Sequence, residues 1–135
     1  MKIAVLSDTH GLLRPELLAR LEGVEAILHA GDVGARAVLE RLQEIAPVYA
    51  VRGNNDWALP SLPRTRAVSL AGGNFFLVHK RQDVPSALTG ADVVIYGHTH
   101  WYACSREGNV LWLNPGSCSW PRLDPAPTFA RMTLE

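Results

Sequence analysis

Four of the chain's five histidines, His10, His79, His98 and His100, stand where apolar runs end. Carboxylates and amides share such positions: Asp8 beside His10, Asp32 after Gly31, and Asn54, Asn55 and Asp56 after Gly53. Neutral imidazole nitrogen with carboxylate and amide oxygen is a mixed hard and borderline donor set, which suits manganese, iron, nickel or zinc. A lone histidine is most often structural or merely exposed. Four of them, gathered with Asp8, Asp32 and Asn54 at the ends of predicted strands, point to a metal site.

The elements that must position these residues follow from the apolar pattern. Ile3 to Leu6 reads as a buried strand, and Pro15 opens a helix whose Leu17, Leu18 and Leu21 share one face. Ala26 to His29 is a second strand. Val38, Leu39, Leu42 and Ile45 then recur at helical spacing, and Val48 to Val51, just past Pro47, is a third strand. This βαβαβ order is the sign of a parallel sheet. In the second half, Arg66 to Leu70 and Phe75 to His79 form a hairpin around Gly72-Gly73, Val84 to Leu88 a short helix, and Val93 to Tyr96 a further strand. Trp101 to Cys104 and Val110 to Leu113 read as another hairpin, and Thr128 to Leu134 as a last strand. The fold class is therefore α/β, with two sheets packed face to face and helices outside. The candidate ligands lie at the carboxyl ends of strands, where open α/β sheets present their sites.

No linker, repeat or low-complexity tract interrupts residues 1–135, which read as one domain. Thirteen Lys plus Arg balance thirteen Asp plus Glu, so nothing chain-wide attracts nucleic acid or an anionic membrane. The first apolar run is only about five residues long, far short of a secretory or membrane-spanning segment. Cys104 and Cys118 are too few for a disulfide scaffold and lack zinc-ribbon spacing. A cytoplasmic protein is expected, with no membrane partner and no nucleic-acid partner; a homo-oligomer stays open.

Ser7-Asp8-Thr9-His10, Gly31-Asp32, Gly53-Asn54-Asn55-Asp56, Gly97-His98-Thr99-His100 and Asn114-Pro115-Gly116-Ser117 together resemble the ordered signature of the calcineurin-like metallophosphoesterases. The closer likeness is to the small bacterial and archaeal phosphodiesterase branch. The resemblance implies a four-layer αββα sandwich of two mixed sheets, with a two-metal centre at its mouth. It gives Asp8, His10 and His100 to one metal, Asn54, His79 and His98 to the other, and Asp32 as the bridge. Manganese leads among the expected metals, with iron, nickel or zinc as alternatives. Two divalent cations against Asp8 and Asp32 leave a charge of +2, or +1 once hydroxide bridges them. Such a centre attracts a phosphate ester and supplies a nucleophile for in-line attack near neutral pH. The implied activity is metal-dependent hydrolysis of a small phosphodiester.

Two positions depart from the family pattern. Asn55 occupies the place often held by a His that protonates the leaving oxygen and is oriented by the next acid, here Asp56. An amide cannot act as a general acid, and losing one typically costs about 10²- to 10⁴-fold. Lys80 replaces the usual Gly after the second metal's His. Lys80 and Arg81 are candidates for substrate phosphate or else a solvated basic turn, and Arg122 faces the same choice against a surface salt bridge. Asn55 also keeps open a rival reading, a catalytically weak or inactive metal-binding scaffold for protein interaction, as in the retromer subunit that shares this fold. Trp57, Trp101 and Trp120 lie close to the motifs and read either as an aromatic rim or as core or interface packing. His29 reads as support for the site or as structural, not as a ligand.

Overall fold

The structure, a computed structural model, describes residues 1–119 and 126–135. Strand β1 (Lys2–Leu6) leads through helix α1 (Pro15–Arg20) to β2 (Ala26–His29), then through α2 (Arg36–Gln43) to β3 (Val48–Ala50). These three strands are parallel, and β9 (Ala130–Thr133) adds antiparallel to β1, giving a mixed four-stranded sheet in the order β3-β2-β1-β9. The second sheet holds β4 (Thr65–Leu70), β5 (Gly73–Val78), β6 (Val93–Ile95), β8 (Val110–Asn114) and β7 (Ala103–Glu107), in that spatial order. It too is mixed, with β5, β6 and β8 parallel between antiparallel edges.

Alternation along the strands builds two cores. Ile3, Val5 and Leu28 of the first sheet meet Phe75, Leu77, Ile95 and Leu113 of the second. On the first sheet's other face, Ala4, Leu6 and Ile27 pack with Leu17 and Leu21 of α1 and its exit and Val38 and Leu42 of α2. The sandwich of two mixed sheets with helices outside is thus present. On the second sheet's outer face the covering layer is thin: a single turn of 3-10 helix, Arg81–Asp83, and the segment after it. The helix expected over Val84 to Leu88 does not form. Pro85 has no N–H to donate, and Val84 before it is extended, with φ −69° and ψ 125°, as residues preceding proline prefer. Among the described residues, no helix is long and apolar enough to cross a membrane.

Candidate metal centre

Loops leaving β1, β2, β3, β5 and β6 meet at one end of the sandwich. The first two are zipped together by backbone bonds, Asp8 N–H to Gly31 O (2.9 Å), His10 N–H to Asp32 O (2.9 Å) and Gly11 N–H to Val33 O (2.8 Å). Among the described residues six non-glycines have positive φ, and five of them are candidate ligands: Asp8 (55°), His10 (48°), Asp32 (54°), His98 (74°) and His100 (68°). Such backbone is unfavourable for a residue with a Cβ and persists only where surroundings over-determine it, as at functional sites. Glycines make the approach of these loops feasible, Gly97 and Gly53 among them. A Cβ at Gly97 would strike the Ser7 hydroxyl and the Asp8 carboxylate, and one at Gly53 would strike the carboxylate of Asp32.

Asp8 is wholly buried. Its Oδ2 accepts from Ser7 Oγ (2.6 Å) and from the His98 N–H (3.1 Å), whereas Oδ1 has no hydrogen-bond partner. That oxygen faces Nε2 of His100 at 3.4 Å, of His10 at 3.6 Å and of His79 at 3.9 Å. Asp32 Oδ2 lies 3.4 Å from His79 Nε2 and 3.9 Å from His10 Nε2, and Asn55 clamps this carboxylate with its backbone N–H (2.9 Å) and its side-chain amide (3.1 Å). Donor atoms accordingly converge in two groups, Asp8 with His10 and His100, and Asp8 with Asp32 and His79. Asp8 belongs to both.

The imidazoles are turned for ligation. His79 Nδ1 lies 2.8 Å from the Ala30 carbonyl oxygen, which can only accept, so Nδ1 carries the proton and Nε2 presents a lone pair to two carboxylates. That buried Nε2 has no hydrogen-bond partner. A lone pair held against two carboxylate oxygens needs a cation between them or a proton on the nitrogen, and a ring whose other nitrogen donates to a backbone carbonyl is the usual posture of a metal ligand. His10 Nε2 and His100 Nε2 stand 3.2 Å apart, again two donors aimed at one place. The residues present fit divalent cations.

Proton affinities follow the same geometry. Burial would raise Asp8, but His10 and His100, the charge of His79 and the Ser7 hydroxyl hold it well below the usual carboxylate range. Burial opposes the ionised form of Asp32 as well, yet His79 and the Asn55 N–H lower it. Burial works against a charged His79, and the neighbouring Asp32 and Asp8 outweigh it, so its affinity for a proton is raised. His98 is shifted down by burial and by the charges of His79 and Lys80.

Around this floor the structure distributes the other expected residues. His98 is exposed and packs its ring edge-on against His79, with centroids 5.2 Å apart, and Asn54 is exposed on the wall of a cavity of about 640 Å³ that His79 also lines. Asp56 is buried, and its two oxygens accept from the backbone N–H groups of Gly34 (2.9 Å) and Gly53 (2.8 Å). Lys80 lines the cavity. Its neighbour Arg81 turns away, pairing with Glu107 at 2.6 Å and stacking 4.4 Å over Trp112. Arg122 and Trp120 lie outside the described residues, while Trp57 and Trp101 are exposed rather than in the core. Asn114 donates to Gly97 O and Thr99 Oγ1, and Ser117 Oγ donates to Asp8 O, so the turn they flank braces the ligand loops.

Sequence reasoning passed over Arg52 and Arg64, which line the same cavity. Arg52 had a usable signal, since it directly precedes Gly53-Asn54 at a strand exit. Arg64 had none, because the start of β4 reaches this wall only through packing of the second sheet on the first.

The calcineurin-like phosphoesterase superfamily domain profile matches residues 1–135. A probable metallophosphoesterase of Methanothermobacter thermautotrophicus is 36% identical, the match covering 100% of this chain and 88% of that protein. The phosphodiesterase YfcE of Escherichia coli K12 is 35% identical over 90% of this chain and 82% of its own. Among solved structures, wild-type Vps29 of Entamoeba histolytica complexed with zinc superposes with a TM-score of 0.81 at 25% identity, covering 99% of this chain and 86% of that one.

Proposed function

The chain belongs to the calcineurin-like phosphoesterase superfamily, and from that premise we propose that it is a phosphodiesterase whose centre takes two divalent cations, manganese foremost, and whose substrate is a small phosphodiester. The observation that carries this is that, of the three buried side-chain atoms without hydrogen-bond partners among the described residues, two, Asp8 Oδ1 and His79 Nε2, belong to one donor group. Asp8, His10 and His100 would hold one cation and Asn54, His79 and His98 the other, with Asp32 shared and Asp8 Oδ1 placed as a second shared oxygen. When bound, such a pair polarises a phosphoryl oxygen and acidifies water enough to furnish a nucleophile near neutral pH.

The protein's own residues set the conditions for that chemistry. Asp8 and Asp32 offset part of the cationic charge, leaving a surplus suited to a monoanionic diester more than to a dianionic monoester. Ser7, the His98 N–H and Asn55 keep both carboxylates in place. Asn55 orients Asp32 and has no proton to give, while Asp56 fixes the loops that carry Gly34 and Gly53. Lys80, half-buried on the cavity wall, is positioned to meet a substrate phosphate. We read residues 1–135 as one catalytic domain, and the unpaired thiols of Cys104 and Cys118 support a reducing, cytoplasmic setting.

Likeness to Vps29, joined to the amide at position 55, favours a second reading, a metal-binding protein-interaction module. Metal analysis after reconstitution with manganese, coupled to turnover of bis(p-nitrophenyl) phosphate, separates the two. The phosphodiesterase reading expects close to two metal equivalents and hydrolysis. Full metal loading without hydrolysis of any ester favours the module, and a stoichiometry fixed at or below one defeats the binuclear centre.

A further inference from the structure

The cavity beside Asn54 and His79 carries more positive charge than the scissile phosphate needs. Arg52 enters its wall from the exit of β3, Arg64 from just before β4, and Lys80 from the exit of β5. Among the described residues, none of these three side chains makes a hydrogen bond or ion pair. Two acids share the wall. Asp56 accepts from the N–H groups of Gly34 and Gly53 and keeps its charge, so the three cations still outnumber the two carboxylates, Asp56 and Asp83. Unpaired surface cations are commonplace singly. Here three come from separate parts of a chain whose net charge is zero and meet in one concavity, where low-dielectric walls focus their field.

We propose that this cavity binds a second anionic group, a phosphate or carboxylate, carried on one arm of the phosphodiester substrate. The inference rests on the phosphodiesterase reading and deepens it. A diester bears one negative charge at its phosphorus, and a centre of +2 or +1 already answers it. The further three cations are matched by a separate anion, and the planar guanidinium of Arg52 or Arg64 suits the paired oxygens of a phosphate or carboxylate. A volume of about 640 Å³ lies in the roughly 300–1,000 Å³ range that holds small-molecule ligands. Trp57, on the same wall and 86% exposed, offers an indole face to the aromatic or sugar portion between the two anions.

The test uses the full chain and a matched pair of probes, thymidine 5′-(p-nitrophenyl phosphate) with and without a 3′-phosphate. With manganese loaded, the 3′-phosphorylated ester is expected to show a kcat/KM about tenfold or more higher, the scale of one charge-assisted hydrogen bond. The ratio should fall towards one in Arg64→Gln and further in the Arg52→Gln/Arg64→Gln double variant. Calorimetry on the manganese-loaded protein provides a readout independent of turnover: thymidine 3′,5′-bisphosphate should bind about tenfold more tightly than thymidine 5′-monophosphate, with a preference that Arg64→Gln removes and salt weakens. Hydrolysis of both esters at equal kcat/KM, or equal binding of the two nucleotides, overturns the inference and leaves the phosphodiesterase reading intact. If no ester is hydrolysed, the phosphodiesterase reading fails, while an Arg64-dependent preference for the bisphosphate still supports the anion site. Faster cleavage of an oligothymidylate than of the 3′-phosphorylated ester would assign the cavity to a polymer and overturn the proposal.

Discussion

On the floor of the site Asp8 and His29 are fully buried, and each of their polar atoms is either tied to a named backbone or hydroxyl group or aimed at the candidate ligand histidines. On the wall, Arg64 and Trp57 stand exposed, and among the described residues no hydrogen bond or ion pair holds their side chains. The difference separates two tasks. Donor atoms for a metal must be placed before the ion arrives, so the protein accepts five left-handed non-glycine residues and braces the carboxylates among them with hydrogen bonds from Ser7, His98 and Asn55. Recognition of a substrate arm needs only charge and shape at the right place, and side chains that order on binding suffice.

The strongest way to break this division is Asp32→Asn. It keeps the shape of the floor but removes a shared negative charge, and the amide nitrogen would face His79 Nε2 or the Asn55 donors. Metal affinity and turnover are expected to fall by more than the roughly 10- to 100-fold typical of a residue that only supports a ligand. His29→Ala, which removes such a support, should stay within that smaller range. Metal content by elemental analysis together with diester turnover checks both; a Asp32→Asn protein that keeps two equivalents and full rate would show that the floor is not the metal centre.

Next in size is the effect of position 55, which belongs to both regions. Its backbone N–H and amide hold Asp32, while its side chain faces solvent. With no proton donor there, rates should rise steeply as the leaving group becomes more acidic. Asn55→His should accelerate alkyl esters more than aryl esters, within the roughly 10²- to 10⁴-fold range of general acid catalysis. A diester series spanning leaving-group pKa measures this. A flat dependence unchanged by the substitution would show that a donor already exists elsewhere.

Much of the floor was legible in the sequence, because its signals are local. The apolar run Ala26 to His29 became β2 with the same limits, and the ligand residues follow their strands directly. What the residues along the chain do not reveal is which loops touch. The approaches of Asp8 Oδ1 to His79 and His100 span 71 and 92 positions, and the meeting of Arg52 with Arg64 and Lys80 depends on how two sheets stack. Lys80 and Arg81 illustrate the limit most sharply. As neighbours they read as one basic pair, yet the start of the 3-10 turn sends one into the cavity and the other across Trp112 to Glu107.

The smallest expected effect sharpens the comparison from beneath the floor, through folding rather than catalysis. His29 accepts from the Gly31 N–H at Nδ1 (3.1 Å), so its proton sits on Nε2 and is donated to Thr9 Oγ1 (3.0 Å), which in turn donates to Val33 O (2.8 Å). A second proton has no acceptor in this chain of bonds. Burial pushes the ring down to about 4 from an ordinary 6.5, with Asp8, Asp56 and Asp32 pulling upward and His79 adding to the depression. In the unfolded chain the ring takes up a proton below about pH 6.5, and in the folded protein it does so only near 4. Its neutral form therefore contributes full stability above pH 6.5, and that contribution is lost as pH falls towards 4, with a slope approaching one proton, at most about 1.4 kcal/mol per pH unit. His29→Asn keeps an acceptor for Gly31 but cannot titrate, so denaturant titrations of metal-free protein between pH 7 and 4 should show a shallower decline in the variant. Parallel declines in the two proteins would mean that the acid sensitivity of the fold arises at groups other than His29, and that the floor does not depend on a neutral imidazole beneath it.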